Sequence, residues 1–74
     1  MPPLPIISGA ECILALRRFG YEPDRQKGSH VRLLCSGRAP LTVPMHKPLK
    51  RGTLRAILRT AEIEVSTFVA ALHH

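Results

Sequence analysis

The sequence predicts a small α+β fold in the order helix, three-stranded antiparallel sheet, helix, short closing helix. Three observations predict it. Ser8-Gly9-Ala10-Glu11 has the S-x-x-E form of a capping box, which opens a helix. From Tyr21 to Pro44 the apolar residues change to a period of two, with turn residues between the runs. Leu54, Ile57, Leu58 and Ala61 then repeat at i, i+3, i+4 and i+7, the spacing of one helix face. A length of 74 residues suits one domain, 1–74, with residues 1–7 as an irregular N-terminal extension. A chain this short buries only about 60% of its unfolded surface, so all elements share one core and a large enclosed site is not expected.

In the first helix Cys12, Ala15, Leu16 and Phe19 fall on one side of the wheel, with Glu11, Arg17 and Arg18 away from it. Leu14 is the misfit. Gly20 stands where a C′ glycine ends a helix. Cys12 lies on the apolar stripe, as a small core residue rather than a reactive thiol.

The first strand, roughly Glu22 to Lys27, is polar and contains Pro23, which suits only an edge. In the second, Val31, Leu33 and Cys35 alternate with His30, Arg32 and Leu34, so His30 and Arg32 project from the face opposite the core. Ser36-Gly37 and the following Arg38-Ala39 are expected to turn the chain into Leu41-Thr42-Val43. A loop from Pro44 to Pro48 leads to the second helix, where Gly52-Thr53 offers a close backbone approach and a cap. Arg51, Arg55 and Arg59 line one edge of that helix at i, i+4 and i+8. Ser66 is expected to cap the closing helix, which would bury Phe68, Val69 and Leu72.

The formal charge is +6, from 11 Lys+Arg against 5 Asp+Glu, and the pI of about 10.4 points to a polyanionic partner. The distribution sharpens this. Glu11, Glu22, Asp24, Glu62 and Glu64 all lie outside the stretch Arg25 to Arg59. Inside it stand Arg25, Lys27, Arg32, Arg38, Lys47, Lys50, Arg51, Arg55 and Arg59. An acid-free region of this kind suits a phosphate backbone, because each Lys/Arg–phosphate contact releases counterions. Lys47, Lys50 and Arg51 reinforce the positive dipole end of the second helix. Phe19, Tyr21 and Phe68 are the only aromatic residues, so base-stacking platforms are scarce and recognition should rest on shape, phosphate and 2′-OH contacts.

Cys12 and Cys35 form no C-x-x-C pair and are too few for a disulfide framework, which suits a reducing cytoplasm. The opening Met1-Pro-Pro-Leu-Pro-Ile-Ile has neither the basic start of a signal peptide nor the length of a membrane span. His73-His74 is assigned no role. With no carboxylate between Arg25 and Arg59 and no second histidine at ligand spacing, no metal or cofactor is expected.

The candidate for chemistry is Gln26-Lys27-Gly28-Ser29-His30. Gly28 allows a tight turn between two strands, and His30 then stands flanked by Lys27 and Arg32. Arg25-Gln26-Lys27-Gly28-Ser29-His30, then Val43-Pro44 and His46, then Leu49-Lys50-Arg51-Gly52-Thr53-Leu54-Arg55 with Ile57-Leu58, resembles the HicA toxins of bacterial type II toxin–antitoxin systems. The likeness spans about residues 8 to 66. It departs from the family's pattern at Pro23-Asp24, where apolar residues are usual, and in its proline-rich start.

The resemblance implies a fold similar to double-stranded-RNA-binding domains, an mRNA-cleaving activity, and neutralisation by a HicB-type antitoxin. The family's catalytic histidine falls on His30. Because RNA carries its own nucleophile, one neutral histidine can remove the 2′-OH proton while Lys27 or Arg32 stabilises the developing charge. Gly28, Ser29, His46, Lys47, Lys50, Arg51 and Arg55 complete the expected RNA-binding set, and His46 is a candidate for protonating the leaving 5′-oxygen. The competing reading is a non-catalytic RNA-binding module of the same fold, from which His30 discriminates.

Overall fold

A computed structural model describes residues 3–73; Met1, Pro2 and His74 lie outside the described residues. The chain runs α1 (Gly9–Arg17), β1 (Glu22–Lys27), β2 (His30–Cys35), β3 (Arg38–Pro44), α2 (Arg51–Ala61) and α3 (Val65–Leu72). The helix, three-stranded sheet and two helices follow in the expected order.

The capping box forms as its spacing dictates. Ser8 Oγ accepts from the Glu11 N–H at 3.1 Å, and the Ser8 N–H donates to Glu11 Oε1 at 3.0 Å. Cys12, Ala15 and Leu16 are buried and Leu14 is exposed. Ile13, which the wheel did not place, is buried as well. At the other end the Gly20 N–H donates to the Arg17 carbonyl and the Tyr21 N–H to that of Leu16, with Gly20 at φ +99°. This is the Schellman pair, with glycine at C′.

The sheet is antiparallel in the order β1-β2-β3. β1 is an exposed edge strand whose register shifts between Pro23 and Arg25. Val31 and Leu33 of β2, with Leu41 and Val43 of β3, are buried on the inner face. Against that face pack α1 and α2, and α3 lies on α1. Phe68 and Tyr21 are fully enclosed, and the Tyr21 hydroxyl donates to the Ala39 carbonyl at 2.8 Å. Ile7 joins the core, and its carbonyl accepts from the Leu49 N–H at 2.7 Å.

Four local expectations are corrected. The second hairpin turns on Ser36-Gly37 alone, because Arg38 already pairs with Cys35 and belongs to β3. At α2 the N-cap is Lys50, which has no side-chain cap bond. Thr53 sits three residues inside, beyond the capping position. Nothing approaches Gly52, so no close backbone contact explains it. At α3 the N-cap is Glu64 and Ser66 lies within the helix. The cause is the abrupt end of α2, where Glu62 turns left-handed at φ 58° and the Ile63 N–H bonds back to Leu58. Only two residues are then needed before α3 begins.

Candidate functional site

Helices cover one face of the sheet and leave the other open, so period-two alternation decides which side chains reach solvent. Directly paired residues share a face. Lys27 pairs with His30, which pairs on its other side with Pro44; Arg25 pairs with Arg32, which pairs with Thr42. His30, Arg32, Lys27 and Arg25 are all exposed. The outer face therefore carries a row with the histidine and, one step along the strands, a row with two arginines.

Gly28 and Ser29 form the two-residue connection between β1 and β2, with Gly28 at φ 60°. Glycine at the first central position, followed by a residue of negative φ, is the II′ hairpin turn, which suits the strand twist. The side-chain amide of Gln26 donates to the Gly28 carbonyl at 3.1 Å and closes the turn further. The turn thus sets His30 as the first residue of β2, opposite Lys27.

The loop after β3 comes back to this turn. The Met45 N–H donates to the Ser29 carbonyl at 2.6 Å, and the Gly9 N–H at the start of α1 donates to the His46 carbonyl at 2.9 Å. Between these two anchors the His46 ring stands with its centroid 6.5 Å from that of His30, at an interplanar angle of 67°. Lys47 follows in the loop, and its charge reaches the Glu11 carboxyl on α1. That carboxyl is held below its ordinary range, first by the Ser8 backbone N–H and then by the Ser8 hydroxyl.

Lys50 and Arg51 open α2, whose first-turn N–H groups have no side-chain cap and no acid nearby in the helix. Positive dipole end and cations coincide there. The structure therefore brings together Lys27, Gly28, Ser29, His30, Arg32 and His46, with Lys47, Lys50 and Arg51 following in the chain. Arg55 stands one turn further along α2. It lines a hollow between α2 and the start of α3, with Arg59 and the apolar residues Leu58, Ile63 and Val65. Arg38, though exposed, is engaged elsewhere: its guanidinium donates to the Ala61 carbonyl at 2.6 Å and closes the last turn of α2. Arg25, which opens the Arg25–His30 block but stood outside the expected RNA-binding set, is added to the basic surface. Counting back from the Gly28-Ser29 turn would have paired it with Arg32.

Among the described residues no group of three His, Cys, Asp or Glu side chains could hold a metal ion. No helix among them is long and apolar enough to cross a membrane.

A three-stranded sheet with helices on one face, and with two histidines among arginines and lysines on the other side, defines a small α+β domain with a basic outer surface. A family model described as the HicA toxin of bacterial toxin–antitoxin matches residues 9–63. The chain belongs to the HicA toxin family, whose place in toxin–antitoxin systems implies an antitoxin partner. A comparison with curated proteins found no match.

Proposed function

We propose that the protein is a metal-independent endoribonuclease that cleaves mRNA, thereby inhibiting translation and growth, and that a HicB-type antitoxin holds it in check in the cytoplasm. One observation carries the reading: His30 stands exposed on the open sheet face, with Lys27 paired beside it and Arg32 and Arg25 in the next row. In the proposed step His30, neutral, takes the 2′-OH proton as that oxygen attacks the adjacent phosphorus. Lys27 and Arg32 stabilise the charge that develops on the phosphoryl oxygens. Gly28 and Ser29 shape the approach, His46 lies against the same phosphate, and Lys47, Lys50 and Arg51 hold the backbone leading away. Arg55 extends that stripe one turn along α2.

General base catalysis contributes about 10²–10⁴-fold, and a charge clamp a comparable factor. The products are a 2′,3′-cyclic phosphate and a free 5′-OH. An acidic antitoxin face covering His30 and the cations competes with RNA through complementary fields. Changing Arg51 and Arg55 to Glu should then weaken antitoxin and RNA together.

The test is incubation of the purified chain with mixed RNA in excess EDTA, followed by analysis of the fragment ends. Cyclic phosphate ends are expected from the wild type, and His30→Ala should bind RNA but leave it intact. Tight binding by the wild type without any cleavage would establish instead a non-catalytic RNA-binding module.

A further inference from the structure

The step proposed above supplies a base but no proton for the departing 5′-oxygen, a role for which the sequence offers His46 as a candidate. An alkoxide is a poor leaving group, so the step that breaks the P–O5′ bond needs an acid as much as the attack needs a base. The attacking and leaving oxygens stand roughly in line on opposite sides of one phosphorus. Each must lie about 3 Å from the group that exchanges its proton. Base and acid must therefore be separated by one phosphate and two hydrogen bonds, neither touching nor far apart.

The His30 and His46 rings meet this requirement. Their centroids are 6.5 Å apart at 67°, too far for the rings to bond to each other and near enough to flank a single phosphate. The arrangement is also held. His46 is the second residue after β3, and backbone bonds fix the chain on both sides of its ring, from Met45 to the Ser29 carbonyl and from Gly9 to the His46 carbonyl. Ser29 itself precedes His30, so the bond from Met45 ties the two histidine segments directly. Both side chains are exposed to an incoming strand. Lys27 and Lys47 are the cations beside the pair, one opposite His30 in the ladder and one after His46 in the loop.

We propose that His46 is the general acid of the cleavage, a second catalytic residue paired with His30; the proposal rests on the ribonuclease reading above. The 2′-oxygen forms its bond to phosphorus and gives its proton to neutral His30. The P–O5′ bond breaks, and its electron pair takes a proton from His46 in the imidazolium form. The enzyme ends with the proton moved from one histidine to the other, and exchange with water restores the starting state.

Protonation of the leaving atom can be made unnecessary by replacing the 5′-oxygen at one position of an RNA with sulfur, because a thiolate departs unaided. The experiment compares wild type, His46→Ala, His46→Gln and His30→Ala on the oxygen and sulfur substrates. Circular dichroism melts show that each variant is folded. His46→Ala and His46→Gln should lose about 10²–10⁴-fold on the oxygen substrate and less than about tenfold on the sulfur one, as expected for loss of an acid alone. His30→Ala should lose comparably on both.

The pH–rate profile supplies a second readout. Wild type should show a bell, because one histidine must be neutral and the other charged. In the His46 variants on the sulfur substrate the alkaline limb should flatten. His30 of β2 faces the His46 ring, Lys27 of β1 pairs with His30 in the ladder, and Lys47 follows His46 in the loop and reaches Glu11 of α1. Glu11 is held ionised by its bonds to Ser8, so it supplies neither limb.

Equal losses on both substrates for both His46 variants would overturn the acid role and leave His46 a binding residue. Full activity of those variants on the oxygen substrate would overturn it as well. Failure of the wild type to cleave either RNA is a distinct result, which overturns the ribonuclease reading together with this one.

Discussion

The backbone N–H of Gly9 donates to the carbonyl oxygen of His46 at 2.9 Å, so the first residue of α1 directly holds the loop that bears the second histidine. No side chain fits between them. A Cβ on Gly9 would stand 2.2 Å from the Pro44 oxygen and 2.9 Å from Met45 Cα, both backbone atoms that cannot swing aside.

Gly9→Ala should therefore force α1 and the loop apart. Overpacking of this kind costs about 1–3 kcal/mol, and in a domain of this size each kcal/mol lowers Tm by about 4–8 °C. A thermal melt checks the loss. In the proposed enzyme, RNA cleavage should fall further than RNA affinity, because the distance between His30 and His46 changes while the cations remain.

Glu62 offers the opposite change. Its φ of 58° and ψ of 44° place a residue with a Cβ in the left-handed region, at the position where α2 ends. That conformation costs about 1–2 kcal/mol for an L side chain, part of which glycine would return as unfolded-state entropy. Glu62→Gly should raise stability by about 0.5–1 kcal/mol, read from urea denaturation midpoints at unchanged slope.

Arg38 and Arg51 should separate a structural cation from a binding one. Arg38 closes α2 through the Ala61 carbonyl, and Arg38→Met should cost about 1.5–3 kcal/mol of stability. It should leave the salt dependence of RNA binding alone. Arg51→Ala should leave the melt nearly unchanged and reduce the slope of log affinity against log salt by about 0.7–0.9. Swapped outcomes would assign the two residues the other way round.

Cys12 gives stability an alkaline dependence. Burial pushes its thiol up to about 12, whereas an unfolded thiol titrates near pH ~8.5. Below that pH both states keep the proton and the contribution is complete. Above it the unfolded chain releases the proton and the folded one does not, so stability falls by up to about 1.4 kcal/mol per pH unit. Burial also raises the Tyr21 phenol, so the measurement is the difference between wild type and Cys12→Ala in urea melts from neutral pH upward. A maleimide should label native protein once, at half-buried Cys35, and unfolded protein twice.

The order of elements was legible because each leaves a local signature. Ser8 and Glu11 are three residues apart and cap one another; Gly20 ends the same helix; Leu54, Ile57, Leu58 and Ala61 mark one stripe. Val31 and Leu33 alternate with His30 and Arg32, which by itself placed the histidine on the open face. At Arg38, Thr53 and Ser66 the expected boundary lies up to three residues from the observed one, and the competing choices differ only in a bond that neighbouring elements decide.

What the sequence alone determined is whatever depends on hydrogen bonds and side-chain period within a few residues: the capped start of the first helix, the edge strand, the turn at Gly28 and the exposure of His30. The tertiary structure decided which distant residues meet. It brought His46 to His30 through bonds from Met45 to Ser29 and from Gly9 to His46. It also turned Arg38 onto the end of α2 and drew Ile7 into the core. Such pairings carry no periodicity, because a loop's position is set by the surfaces that hold its two ends and not by the residues within it.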